Sequence, residues 1–224
     1  MPSAGVEIDE MYPFHKVGHK CFIHASYTRH AHVTRGAYEC SMGSAIASAR
    51  WVRMVEAGDH RLMRRVNSWR APRWMRLWMI AATRGGDGWL WYAMGTVVAL
   101  FGGSERFEAI GAAALASGLG IAIFLKLKRT FGRKRPCALE PHCWATLLPP
   151  DQFSFPSGHT ITAFAVTVAL GAFYPAMLVG LFFCAISVAL SRILLGMHFL
   201  SDVVAGAAIG GLLGYLAADL MRLF

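Results

Sequence analysis

The sequence predicts an all-α, integral-membrane helical bundle of about five spans, preceded by amphipathic helices at the membrane surface. Three observations lead there. The chain of 224 residues is 55% hydrophobic with only 16% charged residues, and its mean hydropathy is +0.43, more apolar than a soluble domain requires. The apolar residues concentrate after Gly88, in runs suited to ~30 Å of hydrocarbon. The formal net charge is +9, and the N-terminal half interleaves its basic residues with tryptophan, as at a membrane interface. Phospholipid headgroups or a phosphorylated substrate suit that charge as partners, and nucleic acid does not. Oligomeric state is not encoded in these features.

Residues 1–58 show no sustained periodicity and are expected to be poorly ordered. Their His15, His19, Cys21, His24, His30 and His32 match no regular metal spacing, so no metal site is expected. The first residues are polar, carry acids and lack an apolar core, so no cleavable signal peptide is expected. The membrane-embedded domain is placed at 59–224, opening with interfacial helices over 59–84. There Leu62, Val66 and Trp69 recur at helical spacing while Arg61, Arg64, Arg65 and Arg70 cover the other face. Pro72 interrupts, and Trp74, Leu77, Trp78 and Ala81 begin a second apolar face. Arg73, Arg76 and Arg84 argue against a full crossing in this stretch.

After the Gly85-Gly86-Asp87-Gly88 break, spans are placed near 88–103, 107–127, 157–174, 177–196 and 200–221. Gly102–Glu105 and Tyr174-Pro175 are read as short turns on one side, with the long polar loops on the other. In the last span Asp202, Gly206, Gly210 and Gly214 fall four apart, a small-residue stripe that admits a neighbouring helix and turns Asp202 toward the bundle. The five cysteines form no CxxC pair. Cys184 reads as packing, and Cys137 and Cys143 share one loop, either as a disulfide or as separate thiols.

Ser154-Phe155-Pro156-Ser157-Gly158-His159-Thr160 stands directly before an apolar run. Ser157 is a favoured N-cap, Gly158 lets a ligand approach the backbone, and the helix start offers free N–H groups to a phosphate. His159 stands beside that seat. Counting crossings brings two more polar segments to the same face: Lys128 to Pro136, and Ser191 to Asp202. Lysine, arginines, a helix start, two histidines and a carboxylate together form a phosphate-binding set with acid–base groups. Taken singly, each is ordinary: a snorkelling arginine, a capping histidine, a basic flank.

The spacing carries a resemblance. Lys128 followed by six residues and Arg135-Pro136, then Pro156-Ser157-Gly158-His159, then Ser191-Arg192 with five residues to His198 and three more to Asp202, resembles the type 2 phosphatidic acid phosphatase superfamily. Lys126 is not the matching lysine, because counting on from it reaches Arg133-Lys134. The motifs cover about a third of the chain, and residues 1–58 have no counterpart.

A neutral His198 nitrogen can attack phosphorus, and the resemblance implies a phosphohistidine intermediate. Asp202, one turn on, can hold the other ring nitrogen. His159 could protonate the leaving oxygen and then activate water. Lys128, Arg135 and Arg192 would neutralise the phosphoryl oxygens, with backbone donors at Ser157 and Gly158, and no metal or other cofactor is called for. Arg129, Arg133 and Lys134 are read as generic headgroup attraction. The expected function is hydrolysis of a phosphomonoester or diphosphate on a lipid: polyprenyl diphosphate, phosphatidic acid, phosphatidylglycerophosphate or lipid A. Alternatives are a lipid phosphotransferase on the same site, a vanadate-dependent haloperoxidase, or a silent lipid-binding scaffold. The expected location is the bacterial inner membrane, multi-pass. The N-terminal arginines favour a cytoplasmic site, whereas the resemblance and the Cys137/Cys143 loop favour the periplasmic face, which is the one expected.

Overall fold

The computed structural model describes residues 50–139 and 153–223, all within one compact unit, Tyr38–Phe224. Those residues form eight α-helices: α1 Arg50–Ser68, α2 Arg73–Gly86, α3 Trp89–Phe101, α4 Arg106–Phe131, α5 Pro136–Leu139, α6 Gly158–Phe173, α7 Leu178–Leu194 and α8 Leu200–Met221. Single 3-10 turns, Gly103–Glu105 and Pro175–Met177, lead into α4 and α7. Among the described residues the only extended pairing is one bridge between Lys134 and Phe153.

The chain is a multi-pass membrane protein. Three helical stretches, Gly103–Phe131, Pro175–Leu194 and Leu200–Met221, are long and apolar enough to cross a membrane, and Trp89–Phe101 and Gly158–Phe173 are shorter apolar helices. At ~1.5 Å per residue, α3 reaches only ~20 Å.

α6 is the central helix and packs most extensively on α8 and α4. The contact is close because the residues are small. On α4, Ala109, Ala112, Ala116 and Gly120 form the buried stripe, and its continuation by four-residue steps delivers buried Lys128. On α8, Gly206, Gly210 and Gly214 lie against the α6 backbone. A Cβ at Gly206 would stand 2.8 Å from the Ser157 carbonyl oxygen, one at Gly214 2.6 Å from that of Ala165, and one at Gly210 would collide with that of Ile161. The expected stripe therefore makes the expected contact, and Asp202 at its head is fully buried. Large apolar side chains such as Val179, Phe183, Val204 and Tyr215 face outward.

The two short turns do share one end of the bundle, where the Tyr174 hydroxyl donates to the Gly102 carbonyl at 2.9 Å. α4 stops at Gly132, which takes the left-handed conformation at φ 57° that favours glycine. Pro72 precedes α2, as the interruption there predicts.

α1 starts at Arg50, inside the 1–58 segment for which no order was expected. Its face toward the protein is centred on Asp59 and Met63, with Leu62 and Val66 only half-buried and Trp69 beyond its end. A buried carboxylate interrupts the apolar stripe, so periodicity misses this helix's first turns. The histidine-rich cluster from His15 to His32, and Cys143, lie outside the described residues.

Candidate active site

Four helix ends meet at one end of the bundle: the C-termini of α4 and α7 and the N-termini of α6 and α8. His198 sits between α7 and α8, after a glycine, Gly196, at φ 67°. It is 3% exposed. Its Nδ1 donates to the Ser154 carbonyl oxygen at 2.6 Å. A carbonyl only accepts, so the proton is on Nδ1 and the lone pair on Nε2. Arg135 Nη1 lies 3.2 Å from that Nε2 and also donates to the Met197 carbonyl at 2.9 Å. Burial, with Arg192 and Arg135 adding to it and Asp202 opposing, lowers the His198 pKa from 6.5 to about 4.

Asp202 was expected to hold the second nitrogen of His198. The carboxylate is instead 3.8 Å from Nδ1, beyond a hydrogen bond, because the Ser154 carbonyl takes that place. Oδ2 of Asp202 accepts from the Phe199 N–H at 2.8 Å, and Oδ1 accepts from Arg133 Nη1 at 2.7 Å. Asp202 therefore acts on His198 by charge across a short gap.

Arg133 was read as generic, and its contacts correct that. Nη1 also donates to Ser201 Oγ at 2.7 Å, Nη2 bonds Asp59 Oδ2 at 2.7 Å, and the guanidinium lies 4.2 Å from the Phe199 ring centroid. Asp59 further accepts from the Ser201 N–H at 3.1 Å and from its hydroxyl. A clasp of Asp59, Arg133 and Asp202 thus ties α1 to the first turn of α8. Nothing periodic marks Asp59 or Ser201 in the sequence; Asp59 and Glu56 are the two carboxylates on an arginine-rich helix, and only Asp59 is buried.

Arg192 is buried and donates from Nη1 to Thr83 Oγ1 of α2 at 2.6 Å. Lys128 Nζ lies 4.4 Å from the Phe124 ring centroid. At the α6 start, Ser157 is buried, its hydroxyl pairs with Thr160 Oγ1 at 2.8 Å, and its N–H donates to the Asp202 carbonyl at 3.1 Å. It makes no side-chain cap. Ser157 was expected to give a backbone donor to phosphate, but that N–H is committed to joining α6 to α8. Gly158 does border the cavity, where a Cβ would come within 3.2 Å of the Phe124 ring. His159 Nε2 lies 2.6 Å from Asp87 Oδ1, a partner the sequence showed only as part of a glycine-rich break.

A cavity of about 990 Å³ joins these groups. Lys128, Arg135, His159, Arg192 and His198 border its charged part, so both imidazoles face one space. Its remainder is apolar, with Trp91, Ile110, Ala113, Ile121, Val166 and Leu170 among its walls. It opens between α3 and α4, where Tyr92 (74% exposed), Ile121 and Leu125 are at once lining and exposed. Ser157 and Asp202 are not among the lining residues. Cys137, on α5, is a free thiol whose pKa burial pushes up.

A family model described as the PAP2 superfamily matches residues 109–223, slightly more than half the chain. Lipid A 1-phosphatase from Rhizobium etli is 36% identical over 96 residues, 41% of this chain and 41% of that protein. Decaprenylphosphoryl-5-phosphoribose phosphatase from Mycobacterium tuberculosis is 34% identical over 131 residues, 57% of this chain and 68% of that protein. The chain thus spans about two fifths of the length of the lipid A 1-phosphatases from Rhizobium that it matches. Among solved structures, Aquifex aeolicus LpxE superposes with a TM-score of 0.61 at 29% identity, covering 71% of this chain and 93% of that one. A transmembrane PAP2-type phosphatidylglycerolphosphate phosphatase from Bacillus subtilis shares the fold, with a TM-score of 0.62 at 22% identity over 82% of this chain and 92% of that one.

Proposed function

The chain belongs to the PAP2 superfamily, and on that premise we propose that it is a metal-independent lipid phosphatase working through a phosphohistidine. The observation that carries the reading is the shared cavity: two imidazoles and three cationic side chains at one part, apolar walls along the rest, and an opening on the bundle flank. Such a space fits a phosphate attached to a hydrocarbon tail.

His198 presents an unprotonated Nε2 and is the nucleophile. Arg135, already 3.2 Å from that nitrogen, shifts to the phosphoryl oxygens when they arrive, with Lys128 and Arg192 completing the cationic shell. Asp202 stabilises the positive ring of the phosphorylated His198 through space. His159 protonates the leaving oxygen and then deprotonates the water that releases phosphate. Gly158 allows close approach at the helix start, and Ser157 keeps α6 and α8 in register.

The substrate class is a phosphomonoester or diphosphate on a lipid. The relatives named for lipid A and for a decaprenyl-linked phosphoribose support a phosphate carried by a large lipid. Transfer to a second lipid is the alternative on the same groups. The site belongs on the periplasmic face of a bacterial inner membrane in this reading. The test is phosphate release by the purified full chain across polyprenyl diphosphate, phosphatidic acid, phosphatidylglycerophosphate and lipid A, with and without chelator. Release should survive chelation, and His198→Ala should lower it by roughly a thousandfold or more. Equal release by wild type and His198→Ala would sink the proposal.

A further inference from the structure

His159 has a partner from a distant part of the chain. Asp87, in the turn between α2 and α3, places Oδ1 2.6 Å from its Nε2. The backbone on both sides is shaped to bring that carboxylate there. Gly86 ends α2 so close to α6 and α7 that a Cβ would meet Val188 Cγ1 at 3.0 Å and His159 Cδ2 at 3.3 Å. Gly88 turns the chain into α3 at φ +133°, a conformation that L side chains rarely adopt. Between them, the Asp87 N–H bonds the Arg84 carbonyl at 3.2 Å. The Asp87 side chain is 48% exposed at the border of the cavity. A carboxylate there opposes the binding of an anion that Lys128, Arg135 and Arg192 favour, so its presence calls for a role other than binding.

We propose that Asp87 is the positioning residue for His159 in phosphoryl transfer. It accepts the Nε2–H, fixes the tautomer and plane of the ring, and leaves Nδ1 as the nitrogen that exchanges protons with the reactants. This rests on the phosphatase reading above. In the first step the bond from His198 Nε2 to phosphorus forms, the bond from phosphorus to the lipid oxygen breaks, and the Nδ1 proton of His159 goes to that oxygen. In the second, His159 Nδ1 takes a proton from water, the water oxygen bonds to phosphorus, the nitrogen–phosphorus bond breaks, and inorganic phosphate leaves. Asp87 gives up and gains no proton in either step. Its contribution is to hold the imidazolium where it is needed.

The experiment measures kcat/KM for the purified full chain, Asp87→Asn, Asp87→Glu, His159→Ala and the Asp87→Asn/His159→Ala pair. The substrates are phosphomonoesters whose leaving groups run from p-nitrophenol to a long-chain alcohol. This ratio reads events up to the first irreversible step, where the leaving oxygen departs. Asp87→Asn should lose roughly 10- to 100-fold on the alkyl ester but under about threefold on p-nitrophenyl phosphate, which needs no proton. Asp87→Glu should recover part of the alkyl activity, and the double variant should be no slower than His159→Ala. Asp87 is half exposed, so Asp87→Asn should keep the wild-type thermal midpoint. An equal loss on every leaving group would mark a merely structural role and overturn the proposal. Unchanged kcat with a lower KM would also overturn it, showing Asp87 as charge repulsion alone. A wild type without phosphate release, or matched by His198→Ala, would instead remove the phosphatase reading itself.

Discussion

At the scale of single residues, the protonation state of His198, the proposed nucleophile, is set by its surroundings. The Ser154 carbonyl holds Nδ1–H, and burial among arginines keeps Nε2 unprotonated down to a pKa of about 4. The sign of the linked stability follows. The unfolded chain protonates this histidine near its ordinary 6.5 and the folded chain only near 4, so between those values the unfolded state binds more protons. Its contribution is complete above pH 6.5 and is lost as pH falls toward 4, by about 3 kcal/mol in all. Thermal midpoints measured from pH 7 to 4.5 should therefore drop further for the wild type than for His198→Gln, which cannot titrate there. Parallel curves would refute this. Lys128, Arg135, Arg192, His159 and His198 were legible because motif spacing fixes them at helix ends. Ser154, Asp87 and Arg133 were not read as the partners of His198, His159 and Asp202: these bonds join residues 44, 72 and 69 apart, and no local period records such pairings.

The helices are positioned by what their faces lack. α8 approaches α6 because Gly206, Gly210 and Gly214 carry no side chain, and the same approach lets the Ser157 N–H reach the Asp202 carbonyl. Gly210→Val would force the pair apart near Ile161. It should cost about 1–3 kcal/mol, lower the thermal midpoint in detergent, and reduce phosphate release, because the starts of α6 and α8 carry His159 and Asp202. Retained stability and turnover would show that the helices can separate without harm. Four-residue steps of glycine and alanine made these faces legible. The first turns of α1 were not, since Asp59 stands where an apolar residue would have continued the pattern and faces Arg133 rather than lipid.

Across the described residues, the contacts of α6 with α4 and α8 are built largely on small residues, while many bulky apolar ones face outward, as hydrocarbon surroundings permit. The candidate site lies at one end and the Tyr174–Gly102 bond at the other. Exposed Thr130 and Ser104 mark these two ends. With a periplasmic site, a membrane-impermeant maleimide should label Thr130→Cys in intact cells and Ser104→Cys only after lysis. The reverse pattern would put the site on the cytoplasmic face. The opening between α3 and α4 has a further consequence. In the proposed reaction on a phosphomonoester, the freed lipid alcohol would slip sideways into the bilayer while phosphate, still joined to His198, awaits water. Separate exits would keep the two products from meeting again, so that dilution in two different phases drives the proposed cycle forward.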